Sequence, residues 1–584
     1  MRTPRAKTLI AAVAVLGSWA APAVRAQTAI DLVDTKHNLS ISGTGDVRAT
    51  SETRICVFCH TPHNATPESP LWNKELQPVV YSVYTSPTLR AAPIPQPSGP
   101  TKLCLSCHDG TIAMGAVVNP VGGIAMASGS TLPPGSLSVL GLDLSGHHPV
   151  SFPYNAALPN VELVDSPPGE LPFGGTDEIH CITCHDPHKN VNGKFLVKDN
   201  RYSALCTTCH QIPGWVGSAH ATSTASVVGI LPRPPKTFPA YTQLGEWGCE
   251  ACHTPHFAPT PEHLLEFSTG PTPFSCTTGG CHTSQPGPPH LAGAAAGGSG
   301  TVDIGRQVRK ISAHRGTTGS DVGCASCHNP HVGSSLKAEA PYASGLLRGV
   351  SGVDRNGGPV RAATYEYEVC LKCHGDNAPD RPFVRRVVPG TNLRLAFSLE
   401  SASSHPVVGT GRNLDIPSIP SSFMPSMNAA QQIYCTSCHA DDEGGSRGPH
   451  GSSFAPILKE RYETADNTPE SFDNFALCYR CHDRASILRD DSFRRKSLRA
   501  TPTGGGHSGH LAAGAPCSSC HDPHGIGSSA GTETGSHAHL INFDARIVAP
   551  LGGARFPVFK DDGTFSGSCT LMCHGVAHDN ASYP

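Results

Sequence analysis

All 24 cysteines of this 584-residue chain fall into twelve pairs, and a histidine follows the second cysteine of every pair. Ten pairs have the spacing C-x-x-C-H, which is the attachment signature of c-type haem. The two thiols add to the porphyrin vinyl groups, and the adjacent imidazole becomes an axial ligand of the iron. In chain order these motifs are Cys56/Cys59/His60 (site 1), Cys104/Cys107/His108 (site 2), Cys181/Cys184/His185 (site 3), Cys206/Cys209/His210 (site 4), Cys249/Cys252/His253 (site 5), Cys324/Cys327/His328 (site 7), Cys370/Cys373/His374 (site 8), Cys435/Cys438/His439 (site 9), Cys478/Cys481/His482 (site 10) and Cys517/Cys520/His521 (site 11).

Two further motifs have a longer spacing. Site 6 is Cys276/Cys281/His282, and site 12 is Cys569/Cys573/His574. A longer loop between the two thioether positions is sterically tolerable because the extra residues can bulge outward. We therefore predict twelve covalently attached c-type haems, with a local disulfide as the alternative at sites 6 and 12.

Zinc and disulfides are the general alternatives for so many cysteines. A closed zinc site takes four ligands and gives no reason for a histidine directly behind every second cysteine. A disulfide framework gives no reason for these histidines either. The recurrence of the histidine therefore favours haem over both.

The first 26 residues have the pattern of a signal peptide. A basic start, with Arg2, Arg5 and Lys7, precedes an apolar run that ends in Ala-Val-Arg-Ala before Gln27. The run is too short to span a bilayer comfortably, so a retained anchor is the weaker alternative. We predict an exported protein, periplasmic or extracellular, with no transmembrane segment and no lipid anchor, since the first cysteine is Cys56.

The composition predicts an unusual fold. Hydrophobic residues make up 38% and charged residues 15% of the chain, which contains 61 glycines and 53 prolines. Such a chain cannot bury an ordinary core at this length. We predict mostly coil with short α-helices and few strands, packed on haems and without a conventional hydrophobic core. The formal charge of −3, made more acidic by haem propionates, argues against a nucleic-acid partner.

The motifs alternate between two types. One type carries a second histidine three residues after its own, always behind a proline, whereas the other lacks it. Site 9 departs from this pattern because its Pro-His pair is delayed to Pro449 and His450. Pairing the two types in order predicts six two-haem units, because a repeat is one structural unit used many times. The predicted divisions are 1–26 (signal peptide), 27–150 (sites 1 and 2), 151–215 (sites 3 and 4), 216–300 (sites 5 and 6), 301–390 (sites 7 and 8), 391–500 (sites 9 and 10) and 501–584 (sites 11 and 12).

Each unit contains two histidines besides its two attachment histidines, which is the number that two bis-histidine haems need. Three residues span at most about 10 Å. This is too short to place two imidazoles on opposite faces of one iron, so the Pro-His histidines should ligate a neighbouring haem. Polar loop histidines are the alternative. The predicted additional ligands are the Pro-His histidines His63, His188, His256, His331, His450 and His524, and the upstream histidines His37, His148, His220, His314, His405 and His510, with His507 as an alternative to His510.

The histidines outnumber the ligands required. Those left over are His147, His180, His263, His290, His507, His537, His539 and His578, of which His290 and His539 are the first candidate replacements. Methionine would raise the reduction potential of a haem that it ligates, and Met114, Met126, Met424 and Met427 are present. The surplus of histidines favours bis-histidine ligation throughout.

Several segments resemble the multihaem c-type cytochromes of the doubled C-x-x-C-H class, a class III-like group. They are 54–63 (RICVFCHTPH), 102–110 (KLCLSCHDG), 148–152 (HPVSF), 181–188 (CITCHDPH) and 367–375 (YEVCLKCHG). The resemblance implies bacterial electron transfer outside the inner membrane, in respiration onto external acceptors, with donor and acceptor cytochromes as partners. Some relatives form extracellular filaments in which a subunit borrows a histidine from its neighbour, a role open to a terminal residue such as His37 or His578.

Two functional classes compete. A conduit needs only closed haems, whereas a multihaem oxidoreductase needs one iron with an open face or an unusual ligand. No C-x-x-C-K motif is present, and histidines suffice to close every iron. We therefore expect an electron-transfer protein and no catalytic residues, either as a separate molecule or as a filament subunit.

Overall fold

The computed structural model describes most of the chain after residue 30. The described residues are 31–583 except 68, 92, 128, 159–161, 176, 229–240, 267–275, 277–280, 283–302, 315–321, 380–381, 420–430, 445, 447 and 494–505. The predicted signal peptide, His290, Met424 and Met427 lie outside the described residues.

Helices in the described part of the chain are short, and many begin at an attachment cysteine. Several span a single turn, as expected where a local motif rather than an amphipathic face dictates the helix. The α-helices are α1 (Gly99–His108), α2 (Cys181–Cys184), α3 (Cys206–Cys209), α4 (Leu244–Trp247), α5 (Ile304–Gln307), α6 (Glu366–His374), α7 (Leu393–Ala396), α8 (Ala476–Tyr479), α9 (Arg484–Leu488) and α10 (His507–Ala512). The 3-10 helices are Cys56–Phe58, Tyr154–Ala157, Arg201–Ser203, Gly248–Ala251, Glu262–Leu264, Cys324–Ser326, Gly345–Leu347, Cys435–Ser437, Cys517–Ser519, Ser528–Ala530 and Ala538–Leu540.

Strands are mostly two-residue antiparallel pairs, and the longer ones lie at the C-terminal end. Strand β1 pairs with β2, β3 with β7, β4 with β5, and β6 with β8. In the C-terminal sheet β11 lies between β12 on one edge and β10 and β9 on the other. The strands are β1 (Phe152–Pro153), β2 (Glu178–Ile179), β3 (Ser312–Ala313), β4 (Gly352–Val353), β5 (Pro359–Val360), β6 (Ser403–Ser404), β7 (Gly451–Ser452), β8 (Gly525–Ile526), β9 (Val548–Ala549), β10 (Val558–Asp561), β11 (Gly567–Cys573) and β12 (Val576–Tyr583).

The buried apolar side chains form several small clusters. One gathers Phe58 and Met114 near sites 1 and 2, and another gathers Phe543, Phe559 and Leu571 under the C-terminal sheet. Attachment cysteines pack against both clusters. The prediction of mostly coil with short helices, few strands and no conventional core is confirmed. Within the described residues no helix is long and apolar enough to cross a membrane.

Candidate haem-binding sites

One local structure positions the histidine in most attachment motifs. A helical turn starts at or near the first cysteine, and the histidine N–H donates a hydrogen bond to that cysteine's carbonyl oxygen. In site 1 the bond from His60 to Cys56 is 2.8 Å long. Cys104–His108 and Cys370–His374 lie inside α1 and α6. The same bond to the first cysteine is made by His185, His210, His253, His328, His439, His482 and His521.

The longer motif of site 6 closes in the same way. The N–H of His282 donates to the carbonyl of Cys276 at 3.0 Å, although four residues separate the two cysteines. The extra residues therefore do not prevent His282 from folding back onto the first cysteine. Site 12 is different, because its two cysteines lie in the extended strand β11.

Three of the predicted attachment cysteines are exposed. These are Cys56, Cys252 and Cys373, whereas the other attachment cysteines are partly buried. The reason at sites 5 and 8 is the position of the second cysteine at the C-terminal end of its helical turn. The residues that these turns bury against the protein are Ala251 and Leu371 instead.

At sites 1 to 11 a second imidazole lies across from the attachment histidine. A metal–imidazole bond of about 2 Å and about 1.1 Å from nitrogen to ring centre place two axial imidazoles about 6 Å apart, centre to centre. The observed separations match this spacing, so the donor set fits a bis-histidine haem at each site. The ring-centre distances are 6.1 Å for His60–His188, 6.2 Å for His37–His108, 6.1 Å for His185–His256, 6.3 Å for His148–His210, 6.0 Å for His253–His331, 6.2 Å for His220–His282, 5.9 Å for His328–His450, 6.1 Å for His314–His374, 5.9 Å for His439–His524, 6.4 Å for His405–His482 and 6.1 Å for His507–His521.

The pairs follow a rule along the chain. A Pro-His histidine faces the first attachment histidine of the preceding unit, as His188 faces His60. An upstream histidine faces the second attachment histidine of its own unit, as His37 faces His108. The Pro-His histidines other than His63 therefore lie beside a site of the preceding unit, and each of these five links two consecutive units.

Hydrogen bonds leave the correct ring nitrogen of many of these histidines available for iron. The Nδ1 of His108 lies 2.7 Å from the carbonyl oxygen of Ser138, and that of His185 lies 2.9 Å from Lys194 O. Because a carbonyl oxygen only accepts, Nδ1 must carry the proton and Nε2 keeps its lone pair. Such a bond also fixes the orientation of a metal-binding imidazole. Further Nδ1-to-carbonyl bonds occur at His253, His328, His439 and His521.

The proline of the Pro-His pair supplies the matching acceptor for the upstream histidines. His37 Nδ1 donates to the carbonyl of Pro187, which directly precedes His188, at 3.0 Å. His314 does the same to Pro449 at 2.8 Å. One Pro-His dipeptide would thus supply a ligand to a haem at the first site of the preceding unit and orient a ligand for a haem at its second site. The other two examples are His220 with Pro330 and His405 with Pro523.

At site 3 the hydrogen-bond partner of the facing histidine's Nδ1 is another histidine and not a carbonyl oxygen. The Nδ1 of His256 lies 3.1 Å from the Nδ1 of His147. Burial lowers the pKa of His147 to about 4 and that of His256 to about 3, which keeps both rings neutral at neutral pH. Burial likewise lowers the pKa of His482 to about 3 and that of His210 to about 4. Neutral imidazoles are the form that binds iron.

Other histidines have both ring nitrogens engaged. His180 hydrogen-bonds through Nδ1 to Thr101 and through Nε2 to Glu178. His537 uses its nitrogens on Ile541 O and Thr534 Oγ1. These two rings therefore have no free nitrogen for a metal. His263 and His539 contribute backbone carbonyls to His253 and His521, and their rings face no attachment histidine among the described contacts.

Two predicted ligands do not face a second histidine within the described residues. His63 is exposed, and no earlier unit precedes it in the chain. His574 instead places its Nε2 2.5 Å from the carboxylate of Asp466. His578, which the sequence left open, lies across from the predicted ligand His510 at 5.9 Å.

Cysteine thiols of most consecutive sites lie near enough to influence each other's pKa. The thiol of Cys104 hydrogen-bonds to that of Cys181, which joins sites 2 and 3. The thiols of Cys59 and Cys107 interact electrostatically and pack on one apolar cluster, which joins sites 1 and 2. Further thiol hydrogen bonds join sites 4 and 5 (Cys206–Cys249), 6 and 7 (Cys276–Cys324), 8 and 9 (Cys370–Cys435), and 10 and 11 (Cys478–Cys517). Thiol electrostatic interactions join sites 3 and 4 (Cys184–Cys209), 7 and 8 (Cys327–Cys370 and Cys327–Cys373), 9 and 10 (Cys438–Cys481), and 11 and 12 (Cys520–Cys569).

Sites 5 and 6 complete the series through a shared apolar cluster. Ala251, between the two cysteines of site 5, is buried with Trp247, and Cys281 of site 6 packs against that cluster. The sites therefore follow one another in space in the order of their cysteines. No group of three or more histidine, cysteine or acidic side chains in the described residues could hold a metal ion by itself.

A buried cation lies beside the first two sites. Lys74 is 0% exposed, and its Nζ donates to the carbonyls of Ala113, Met114 and Ala116 at 3.1, 2.9 and 3.3 Å. It interacts electrostatically with Cys59 and Cys107. A positive charge in this position would favour the reduced state of haems attached at sites 1 and 2, because the reduction potential depends on local charge.

Comparison with known families agrees with this chemistry. Residues 172–212 match the model of the doubled CXXCH motif family, and this segment contains the motifs of sites 3 and 4. The match supports a multihaem c-type cytochrome-like protein with covalently bound haem and a role in electron transfer. No curated protein matches the chain significantly.

Proposed function

We propose that the chain is a dodecahaem cytochrome that conducts electrons along its haems in chain order, without chemistry at any iron. The observation that carries the proposal is that cysteines of consecutive sites neighbour each other along the whole series. Each junction brings attachment motifs, and hence porphyrin edges, next to each other. Electron hopping needs haems that are close and rigidly held, and the Pro-His links between units hold them so.

Closed coordination favours conduction over catalysis. Eleven attachment histidines face a second histidine at the bis-histidine spacing, and His510 faces His578 in the same way. A substrate needs an open iron, so this arrangement supports an electron-transfer protein and not an oxidoreductase.

Spectroscopy of the purified haem-loaded protein tests both parts of the proposal. Intact mass should give twelve haems per chain on a polypeptide that begins near Gln27, as expected for an exported protein. Electron paramagnetic resonance of the oxidised protein should show low-spin haem only. A stoichiometric high-spin signal would instead support the enzyme hypothesis.

Conduction along the whole series can be tested by breaking it. Cys276→Ser with Cys281→Ser removes haem 6 from the middle of the array. Electron transfer between the ends, followed with a photoreductant attached near site 1 and an acceptor near site 12, should slow by several orders of magnitude. Removing the terminal haem 12 is the matched control for the loss of one haem. Equal slowing by both variants would contradict conduction in chain order.

A specific observation favours a second candidate, in which the conduit is a filament subunit. His63 stands in the same Pro-His position as His188 and His331 but is exposed and faces no histidine of the described chain. It is therefore placed to approach a haem of another molecule, in respiration onto external acceptors through partner cytochromes. Electron microscopy should show fibres that His63→Ala abolishes and His263→Ala retains. Discrete particles from the unmodified protein would remove this candidate.

A further inference from the structure

The last attachment motif differs from the others in backbone conformation. Cys569 and Cys573 lie in β11, which pairs with β12 in an antiparallel hairpin. His574 and Gly575 form the two-residue turn, with φ of 50° and 73°. Two positive φ values are the requirement of a type I′ hairpin turn. The helical turn that folds the histidine back in the other motifs is therefore replaced by a hairpin.

This conformation directs His574 to a carboxylate. Its Nε2 lies 2.5 Å from Asp466 Oδ1, and this is the nitrogen that the other attachment histidines leave free for iron. The Asp466 side chain is 41% exposed, so the contact lies at the edge of the molecule. No other histidine ring faces His574 among the described residues. His574 consequently lacks the two features that sites 1 to 11 share.

His578 has the features that His574 lacks. It lies on β12 directly opposite Leu571, which stands between the two cysteines on β11. Opposite residues of an antiparallel ladder project to the same face, and Leu571 packs in one cluster with Cys569 and Cys573. The His578 ring therefore projects to the face that carries the thiols.

The partner of His578 is also oriented as an axial ligand. The rings of His510 and His578 lie 5.9 Å apart with an interplanar angle of 24°, which is the spacing found at the other sites. The Nδ1 of His510 donates to the carbonyl of Gly506 at 2.8 Å, which leaves its Nε2 free. His507, one helical turn earlier on α10, faces His521 of site 11. One short helix thus presents histidines to both of the last two sites.

We propose that His578, in place of His574, is the axial ligand opposite His510 on the haem attached at Cys569 and Cys573. This assignment rests on the proposed haem loading of the chain. His574 then serves as a turn residue that ties the hairpin to Asp466. Site 12 is a c-type site in which the ligand comes from the strand across the hairpin, five residues after the second cysteine.

Alanine variants of the haem-loaded protein test the assignment. His578→Ala should produce one high-spin haem in twelve, and added imidazole should return it to low spin by occupying the open position. His574→Ala should keep every haem low-spin, as should the control His263→Ala. High-spin haem in His574→Ala together with none in His578→Ala would overturn the assignment.

The number of haems per chain and an electron cryo-microscopy map test the assignment where the spin states of the variants do not decide. If His574→Ala loses one haem during maturation, an electron cryo-microscopy map of the unmodified protein decides, because continuous density from iron 12 must reach residue 578 or residue 574. Unmodified Cys569 and Cys573 in the wild-type peptide map would overturn the inference and leave conduction over eleven haems standing. A high-spin haem elsewhere in the wild type would contradict the proposed function and leave this ligand assignment intact.

Discussion

Sites 11 and 12 are neighbours that present their cysteines through opposite backbone conformations. In site 11 a 3-10 turn starts at Cys517, and His521 folds back onto its carbonyl. In site 12 the cysteines lie in a strand, and the following histidine forms part of the hairpin turn. The backbone turn that carries a histidine therefore decides whether its ring can face a second imidazole. Its position next to a cysteine is not sufficient.

The two regions also differ in what stabilises them. Sites 1 to 11 lie among short helices and coil with small apolar clusters. Site 12 lies on a sheet whose strands β10, β11 and β12 cover a cluster containing Phe559 and Leu571, which are 3% and 5% exposed. The sheet therefore packs on an apolar cluster, whereas residues 324–350 around site 7 contribute to none of the buried apolar clusters of the described chain, and we expect that region to depend more on its haem.

The largest expected effect is local unfolding after the loss of one haem, and it should differ between a helical region and the C-terminal sheet. Cys324→Ser with Cys327→Ser should unfold the surroundings of site 7, because the porphyrin supplies most of the apolar area there. Limited proteolysis near residues 324–350 should accelerate by on the order of tenfold or more. Cys569→Ser with Cys573→Ser is the matched pair and should leave β10 to β12 protected. Equal protease sensitivity in the two variants would contradict the distinction.

A smaller effect is expected from weakening the sheet instead. Phe559→Ala removes a nearly fully buried aromatic ring and should cost about 3–5 kcal/mol of local stability. Hydrogen exchange should rise in β10 to β12, and site 12 should be the first haem to change its spectrum on heating. Phe472→Ala, at a side chain that is 56% exposed, is the control and should change neither. A global loss of stability in Phe559→Ala would show that the sheet is not a separate unit of stability.

The smallest effects concern charge at the two ends of the array. Lys74→Met should lower the potentials of haems 1 and 2, and Asp466→Asn should raise that of haem 12, because Asp466 interacts electrostatically with Cys573. Shifts on the order of 50 mV correspond to about 1 kcal/mol for one electron. Lys74→Arg keeps the charge and should leave the potentials nearly unchanged. Spectroelectrochemical titration measures all three variants, and shifts of the opposite sign would refute the electrostatic assignment.

The sequence predicted the attachment chemistry and the linking role of the Pro-His histidines, because both depend on short-range spacing. It could not say which neighbouring haem His188 or His331 faces, since that depends on how units are placed in space. The burial of Ala251 and Leu371 beside their cysteines was missed for the same reason, because the spacing of a motif does not say which side of its turn packs on the protein. The acceptor role of Pro187 and its equivalents was also missed, although the recurrence of proline before histidine was a visible signal. Proline keeps its carbonyl acceptor while having no N–H of its own.

The site 12 arrangement lay beyond sequence reasoning for a specific reason. A spacing of three residues between cysteines is compatible with a helical turn, as the even longer loop before His282 demonstrates. The hairpin instead lies in a sheet with β10 and β9, and the spacing of the cysteines does not encode this pairing. His507 and His510 lie one helical turn apart, which was a signal that one helix could supply two ligands. The sequence analysis treated the two histidines as alternatives for one ligand instead.

The Pro-His link makes each interior unit depend on the unit that follows it in the chain. In the proposed array the second histidine ligand of a unit's first site comes from the unit that follows it. A chain cut after an interior unit would therefore leave one iron with a single histidine ligand. The last unit escapes this dependence because His507, upstream of its own motif, closes site 11. In the proposed array site 11 would therefore be closed from within its own unit, whereas an interior unit would need the unit that follows it, as stacked repeats need their neighbours.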